Sequence, residues 1–352
     1  MRVSATDRAD AVRAAFAAQG RWCANLGSPF TARLCAVIAD KLDDGTQVGR
    51  RLLAWPGNPD GWADGLPLRL CGGLHALVRA GTLPGLARLY PPAALPDEQA
   101  LWAALVPALR DVALLPWLDR TPQTNEVGRA GALMGGLLVV ADAFDSPIQL
   151  FELGASAGLN LLLDRYRHDL GGVIAGDAAS PVRLKPEWHG PPPPAAEVRI
   201  TGRSGVDLQP IDVIADGERL LAYVWPDQPG RLSRLETALT IAAAEPPTVA
   251  RGDAADWIEA ELGPAPMPDV TRVVMHSVAY QYFPLASQQR IAARVADAGA
   301  RASAQAPVAW LRFEKEPGDR ETTLRLTLYP DGRDRLLAVC HPHGSVIDWR
   351  GA

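Results

Sequence analysis

The sequence predicts an α/β protein built on a mostly parallel sheet with a helical N-terminal region, and three observations predict it. From residue 148 onward, short apolar runs of strand length alternate with longer segments of helical spacing, the pattern of a parallel sheet covered on both faces. The first run, Ile148–Leu153, ends at an acid and a glycine and passes through Gly154-Ala155-Ser156-Ala157-Gly158 into an apolar segment. Open sheets build a ligand crevice with this layout, at the carboxyl end of a strand. Before residue 125 the apolar residues recur at helical spacing instead. With 352 residues, 48% hydrophobic and 21% charged, the chain can bury a large core.

Taken in order, Ser28-Pro29 supplies a cap and a first-turn proline for a helix over 30–42, with Leu34, Val37, Ile38 and Leu42 on one face. Asp97 opens a second helix carrying Leu101, Trp102, Leu105, Leu109, Val112 and Leu115. A third starts near Asn125 and runs through Leu133, Leu137, Leu138 and Val140. Residues 57–65 and 90–96 are loops by their Pro and Gly content. Strands are expected at 148–153, 197–206, 248–252, 271–277, 307–313, 323–329 and 336–341. Helices are expected at 158–170, 217–224, 230–244, 254–262 and 285–304. Pro330-Asp331-Gly332 makes the last two strands a hairpin. An irregular insertion over 171–196 contains Pro191 to Pro194, whose four prolines favour stiff extended backbone over a strand. The domains expected are a helical cap region, 1–125, and an α/β domain, 126–352.

Composition narrows the function. A net charge of −5 with no Lys/Arg cluster argues against a dedicated nucleic-acid or acidic-membrane binder, leaving a small molecule as the expected partner. Cys23, Cys35, Cys71 and Cys340 are scattered with no CxxC pair, which fits buried thiols better than a disulfide framework or a zinc site. The first ten residues are charged, and no window reaches the roughly twenty uncharged apolar residues of a membrane span. A cytoplasmic location is therefore expected. His341-Pro342-His343 has chelate spacing but no third ligand nearby, so no metal site is expected.

The chemistry-bearing residues collect at predicted strand ends. Asp207, in Gly205-Val206-Asp207-Leu208, ends the second core strand, where a carboxylate can accept both ribose hydroxyls. Asp253 and Ala254 follow the third strand, and His276-Ser277 ends the fourth. Each acid taken alone is as well explained as a helix cap or turn residue. His276 is a candidate general base because an imidazole titrates near working pH, although a satisfied buried histidine is the commoner outcome. Tyr280 and Tyr282 follow as candidate pocket walls or core aromatics. Gln123-Thr124-Asn125-Glu126-Val127-Gly128-Arg129 stacks an amide, an acid and a guanidinium at a helix start. That makes Glu126 a second candidate base, and Asn125 and Arg129 candidate substrate contacts, against a plain capping array. Asp227, in Trp225-Pro226-Asp227, begins a helix and could hold an amine.

These motifs together resemble class I S-adenosylmethionine-dependent methyltransferases, over about residues 125–350. The pattern carried is Glu152-x-Gly154-x-x-x-Gly158-x-Asn160, then Asp207, then Gly252-Asp253-Ala254. The resemblance implies a seven-stranded sheet and S-adenosylmethionine as cofactor. Glu152, Gly154, Ser156, Gly158 and Asn160 would lie at its methionine end, Asp207 at the ribose, and Asp253 and Ala254 at the adenine. It also implies methyl transfer to a small molecule. Two departures stand out: Ser156 replaces the middle glycine, and Glu152 and Asp207 lie far apart, so Asp177 rivals Asp207 as the ribose acid. Asp207 is preferred because a strand precedes it. The whole chain also resembles a bacterial family of unknown function, through 123–129, Val224-Trp225-Pro226-Asp227-Gln228 and 154–160. Two alternatives remain: a non-catalytic module binding an S-adenosyl compound, and an α/β-hydrolase using Ser156 in the Gly-x-Ser-x-Gly turn.

Overall fold

The segments of helical spacing before residue 125 fold as helices, the longest being Ala5–Asn25, Pro29–Lys41, Leu66–Arg79 and Glu98–Ala108. The computed structural model describes residues 5–263, 265–315 and 321–351. They divide into two units: one runs up to Thr124 and takes in Asp216–Ser233, and the other holds Asn125–Ala215 and the chain from Arg234 onward.

In the helical unit, Phe16, Leu34, Ile38, Leu52, Leu70, Leu74 and Leu105 form the core. Asp97 accepts from Ala100 N (2.8 Å) and starts its helix as expected, but the helix stops at Ala108 instead of reaching Leu115. Asp111 offers a competing local bond, accepting from Ala113 N (2.9 Å) and opening a separate 3-10 turn, Val112–Leu114. Asp216–Ser233 belongs to this unit through long-range caps. Asp227 accepts from Ser28 Oγ (2.5 Å) and Phe30 N (2.7 Å), so it caps the helix Pro29–Lys41. Gln228 Nε2 donates to Leu26 O (2.9 Å), and His75 Nδ1 lies 3.1 Å from Ala222 O. Burial pushes the His75 pKa down to about 4.

The second unit is mixed α/β with a large, mostly parallel sheet. Its strands are β1 (Ile148–Leu153), β2 (Arg167–Leu170), β3 (Val173–Gly176), β4 (Arg183–Leu184), β5 (Glu187–His189), β6 (Ile200–Asp207), β7 (Val249–Arg251), β8 (Thr271–Ser277), β9 (Val308–Glu314), β10 (Thr322–Tyr329), β11 (Arg333–Cys340) and β12 (Val346–Trp349). The main sheet has nine strands, not seven, in the order β5-β12-β11-β10-β9-β8-β1-β6-β7. Neighbours from β9 to β7 are all parallel, whereas β9 to β12 run as an antiparallel meander. The expected hairpin is β10–β11.

The two additional strands are β12 and β5, and the latter comes from the insertion expected to be irregular. Further insertion residues form β3 and β4, which flank β2 in a separate three-stranded sheet. The expected helix over 158–170 is also corrected: a 3-10 segment, Leu159–Arg165, gives way to β2. Carbonyls that a continuing helix would use are taken by side chains. Tyr166 OH donates to Leu159 O (2.7 Å), and His168 Nε2 lies 2.7 Å from Leu163 O.

One face of the sheet packs Phe151, Leu153 and Val274 against Ile258 and Ile291, from the helices Ala254–Glu261 and Leu285–Ala300. The other face meets the helix Ala130–Phe144, where Leu311 fills the space beside Gly136. The stretch Val127–Phe144 has the length and hydropathy of a membrane span, which the sequence expectation excluded; 83% of it is buried inside the protein.

Candidate functional site

After β1 the chain proceeds to β6 and β7 on one side, then crosses to β8 and β9 on the other. The tips of β1 and β8 therefore form a topological switch point, where open parallel sheets leave room for a ligand. The bend after β1 is shaped by left-handed backbone at Gly154 (φ 70°), Ser156 (φ 55°) and Gly158 (φ 72°). A serine there is strained by roughly 1–2 kcal/mol. Asp207, at the tip of β6, holds it: Oδ2 accepts from Ser156 N (2.9 Å) and Oδ1 from Gln209 N (2.8 Å).

The two glycines are packed closely by the protein itself. A Cβ on Gly154 would lie 2.5 Å from Ala279 Cβ, and one on Gly158 would lie 2.8 Å from Pro247 Cγ. They make room for the protein's own side chains.

Beside the bend lies a cluster of buried polar groups. Glu152 is 1% exposed and Asn160 is 0% exposed, so neither reaches bulk water. Among the described residues, Glu152 Oε2, Ser156 Oγ and Asn160 Oδ1 have no hydrogen-bond partner. Burial pushes the Glu152 carboxyl up to about 8; its hydrogen bond with Asn160 opposes the rise, the charge of Asp207 adds to it, and that of Arg129 opposes it. At neutral pH Glu152 is therefore mostly protonated. Asn160 Nδ2 reaches Ser277 Oγ at 3.4 Å.

The 123–129 motif fastens this cluster. Asn125 Oδ1 accepts from Leu159 N (2.9 Å), tying the helical entry to the end of the bend. Arg129 bridges two other places, donating to Ser277 O (2.9 Å) and Pro342 O (3.0 Å). Glu126 accepts from Gly128 N (3.0 Å) and lies 3.7 Å from Arg234 Nη1. Gly128 is required because a Cβ there would meet His343 O at 2.3 Å. Asn125, Glu126 and Arg129 are thus all buried and committed to protein partners, as a capping array would be.

His276 lies on the opposite face of the sheet. Phe151 is paired with Val274 and Glu152 with Met275, so alternation puts Ser277 on the Glu152 face and His276 on the Phe151 face. There Trp310 Nε1 donates to His276 Nε2 (3.1 Å), and His276 Nδ1 lies 2.8 Å from Glu314 Oε1. An indole N–H can only donate, so Nε2 accepts and Nδ1–H faces Glu314. Tyr280 stacks on the imidazole (centroids 4.7 Å apart), and its hydroxyl donates to Gln288 O (2.5 Å). His276 and Tyr280 are held as a packed pair, apart from the Glu152 cluster.

Glu314 was not singled out in the sequence. Its Oε1 also accepts from Ala279 N (2.9 Å) and Tyr280 N (3.0 Å), a turn made possible by left-handed Val278 (φ 50°). The available signal was an acid closing the apolar run of β9, as Glu152 does in β1.

Asp253 takes the cap role: Oδ1 accepts from Ala255 N (2.8 Å) and Asp256 N (3.2 Å), and Oδ2 from Ser287 Oγ (3.2 Å), while Ala254 is buried as the first helical residue. Asp177 is a turn residue of the insertion, accepting from Ala179 N (2.9 Å), so Asp207 is the acid directed at the bend. His341 and His343 adjoin, yet no group of three or more metal-ligating side chains occurs among the described residues.

The class defined by this arrangement is a mixed α/β protein with a polar, buried switch point. A family model described as an uncharacterised protein conserved in bacteria (DUF2332) matches residues 13–349, and the chain belongs to that family. No curated protein and no solved structure matches it significantly.

Proposed function

We propose that the crevice at the tips of β1 and β8 binds an S-adenosyl compound and that the protein transfers its methyl group to a small molecule. The observation that carries this reading is that Glu152 Oε2, Ser156 Oγ and Asn160 Oδ1, on and beside the bend at the switch point, are all buried with no partner among the described residues. Buried polar atoms without partners are rare in folded proteins, and a polar ligand accounts for several at once. Glu152, Ser156 and Asn160 would hold the amino-acid end. Asp207, whose carboxylate accepts from Ser156 N on the bend and from Gln209 N, would be the acid nearest the ribose. Asp253 fits less well, because the helix start and Ser287 already use it.

The cofactor supplies a methyl group on a positively charged sulfur. The protein's part is orientation, holding the acceptor in line and roughly 3 Å from the methyl carbon. Both nitrogens of His276 are engaged and Glu126 is tied to Gly128 N and Arg234, so this reading favours an acceptor that needs no base, such as a thiolate or a tertiary amine. The same commitments support a second reading, a module that binds the S-adenosyl compound without turnover. The hydrolase alternative lacks an activated nucleophile: Ser156 Oγ has no hydrogen-bond partner among the described residues, so no histidine is poised to take its proton.

Thermal melting with S-adenosylmethionine, S-adenosylhomocysteine and NAD in turn tests the proposal. A ligand at about a hundred times its dissociation constant stabilises by roughly 2.7 kcal/mol. Stabilisation by the S-adenosyl compounds and not by NAD is expected. No shift with either removes the cofactor assignment, and a shift without methyl transfer to any small-molecule extract component leaves the binding module.

A further inference from the structure

We infer that the helical unit carries a separate binding site for a small carboxylate with a flat apolar body, in the cleft between Arg8 and the Trp55–Pro59 loop. The cleft is open to solvent, has a volume of about 670 Å³ and is lined by Arg8, Ala11, Trp55, Pro56, Gly57, Asn58 and Pro59. That volume falls in the range of small-molecule sites, roughly 300–1,000 Å³.

Its chemistry is specific. Arg8 is the one charged lining residue, and its buried Nε has no hydrogen-bond partner among the described residues. Arg13, on the same helix, shows the contrast: its guanidinium is committed to the carbonyls of Ala39, Asp40 and Leu42. A single arginine lining the cleft suits a singly charged carboxylate, which a guanidinium can meet through two parallel N–H bonds. Asn58 Oδ1 is taken by Asp60 N (3.1 Å), leaving the amide NH₂ as a neutral donor for the same anion. Two proline rings and the Trp55 indole supply flat apolar walls.

The cleft is also prebuilt, which lowers the cost of binding. Trp55 Nε1 donates to Asp64 Oδ2 (2.7 Å), Asp64 N donates to Asn58 O (3.1 Å), and Arg69 Nε donates to Asp64 O (2.7 Å). Gly57 lets the loop press onto that carboxylate, since a Cβ there would lie 2.0 Å from Asp64 Oδ2. Arg69 also sits over the Trp55 ring, 5.3 Å from its centroid.

Calorimetry and ligand-observed NMR with benzoate, benzyl alcohol and inorganic phosphate test the site on the full chain. Benzoate should bind saturably, and benzyl alcohol at least about tenfold more weakly. Arg8→Gln, which replaces the guanidinium by a neutral amide, should weaken benzoate roughly ten- to hundredfold without lowering the melting temperature. Ala11→Phe, at the exposed mouth, should block binding. The inference is overturned if benzoate does not saturate, if Arg8→Gln binds it as tightly as the parent, or if phosphate binds more tightly than benzoate.

Discussion

Phe151-Glu152 and Phe313-Glu314 put the same pair of residues at the ends of β1 and β9, the two strands that flank β8, and the structure treats the two acids in opposite ways. Glu314 is gripped: one of its oxygens accepts from His276, Ala279 and Tyr280. Glu152 Oε2 and Glu314 Oε2 are both buried without a partner among the described residues, but Glu152 is not gripped by a set of backbone donors like that of Glu314, and burial dominates its protonation. The difference teaches that a buried acid is read by its donors and not by its depth. Convergent donors make a structural clamp; where they are scarce, burial decides whether the acid keeps its proton.

The largest expected consequence is a dependence of stability on pH through Glu152. Its folded-state pKa of about 8 lies above the ordinary 4.5, so between those values the unfolded chain ionises while the folded one keeps its proton. Stability therefore falls as pH rises across that window, by up to about 1.4 kcal/mol per pH unit and on the order of 5 kcal/mol in all, then levels off above it. Glu152→Gln cannot ionise. Urea titrations at several pH values should show the variant equal to the parent near pH 4.5 and more stable near pH 8. Parallel curves for the two proteins would mean that Glu152 has a charge-stabilising partner and that the contrast with Glu314 is false.

Next in size is Glu314→Ala, which strands the buried N–H of His276 together with the part-buried N–H groups of Ala279 and Tyr280. Each costs about 1–3 kcal/mol when unpaired, so a loss of about 3 kcal/mol or more is expected in chemical denaturation. Glu314→Gln, still able to accept on one oxygen, should lose less. A loss below about 1 kcal/mol for the alanine variant would show that the clamp is not built as described.

Much of this was legible in the chain. The alternation of period, the bend after β1 and the positions of the core strands along the chain follow from patterns of apolar spacing and glycine that act locally. Asp207 ends a strand as expected, and its carboxylate accepts from Ser156 N of the bend, because a strand end fixes where its side chain points. The roles of Asp227 and Arg129 were not legible, since each bonds to groups far along the chain, at Ser28 and Phe30 for the first and at Ser277 and Pro342 for the second. The placement of His276 away from Glu152 depends on the register of β1 with β8, and no single strand carries that information. The strands of the insertion stayed hidden because they are only two to four residues long and their pairing is made with β2 and β12.

A smaller effect links the acids at the switch point. Asp207 holds Ser156 N–H and Gln209 N–H with a charged carboxylate, and its charge adds to the upward push on Glu152. Asp207→Asn weakens the first effect and removes the second. A loss of about 1–2 kcal/mol is expected, together with a shift of the Glu152-dependent fall in stability to lower pH. If the loss appears without the shift, the two carboxyl groups do not sense each other.

The smallest effect separates an idle hydroxyl from one kept for a ligand. Ser156 Oγ is buried and unpartnered, so removing it strands no other group, and Ser156→Ala should change the stability of the free protein by no more than about 0.5 kcal/mol. The left-handed backbone stays equally unfavourable for alanine, so strain does not enter the comparison. If an S-adenosyl compound uses that hydroxyl, the variant should show a smaller melting shift with it despite an unchanged melt alone. An equal shift in both proteins would reduce the switch point to Glu152 and Asn160, and a destabilised free variant would show that the hydroxyl already serves the fold.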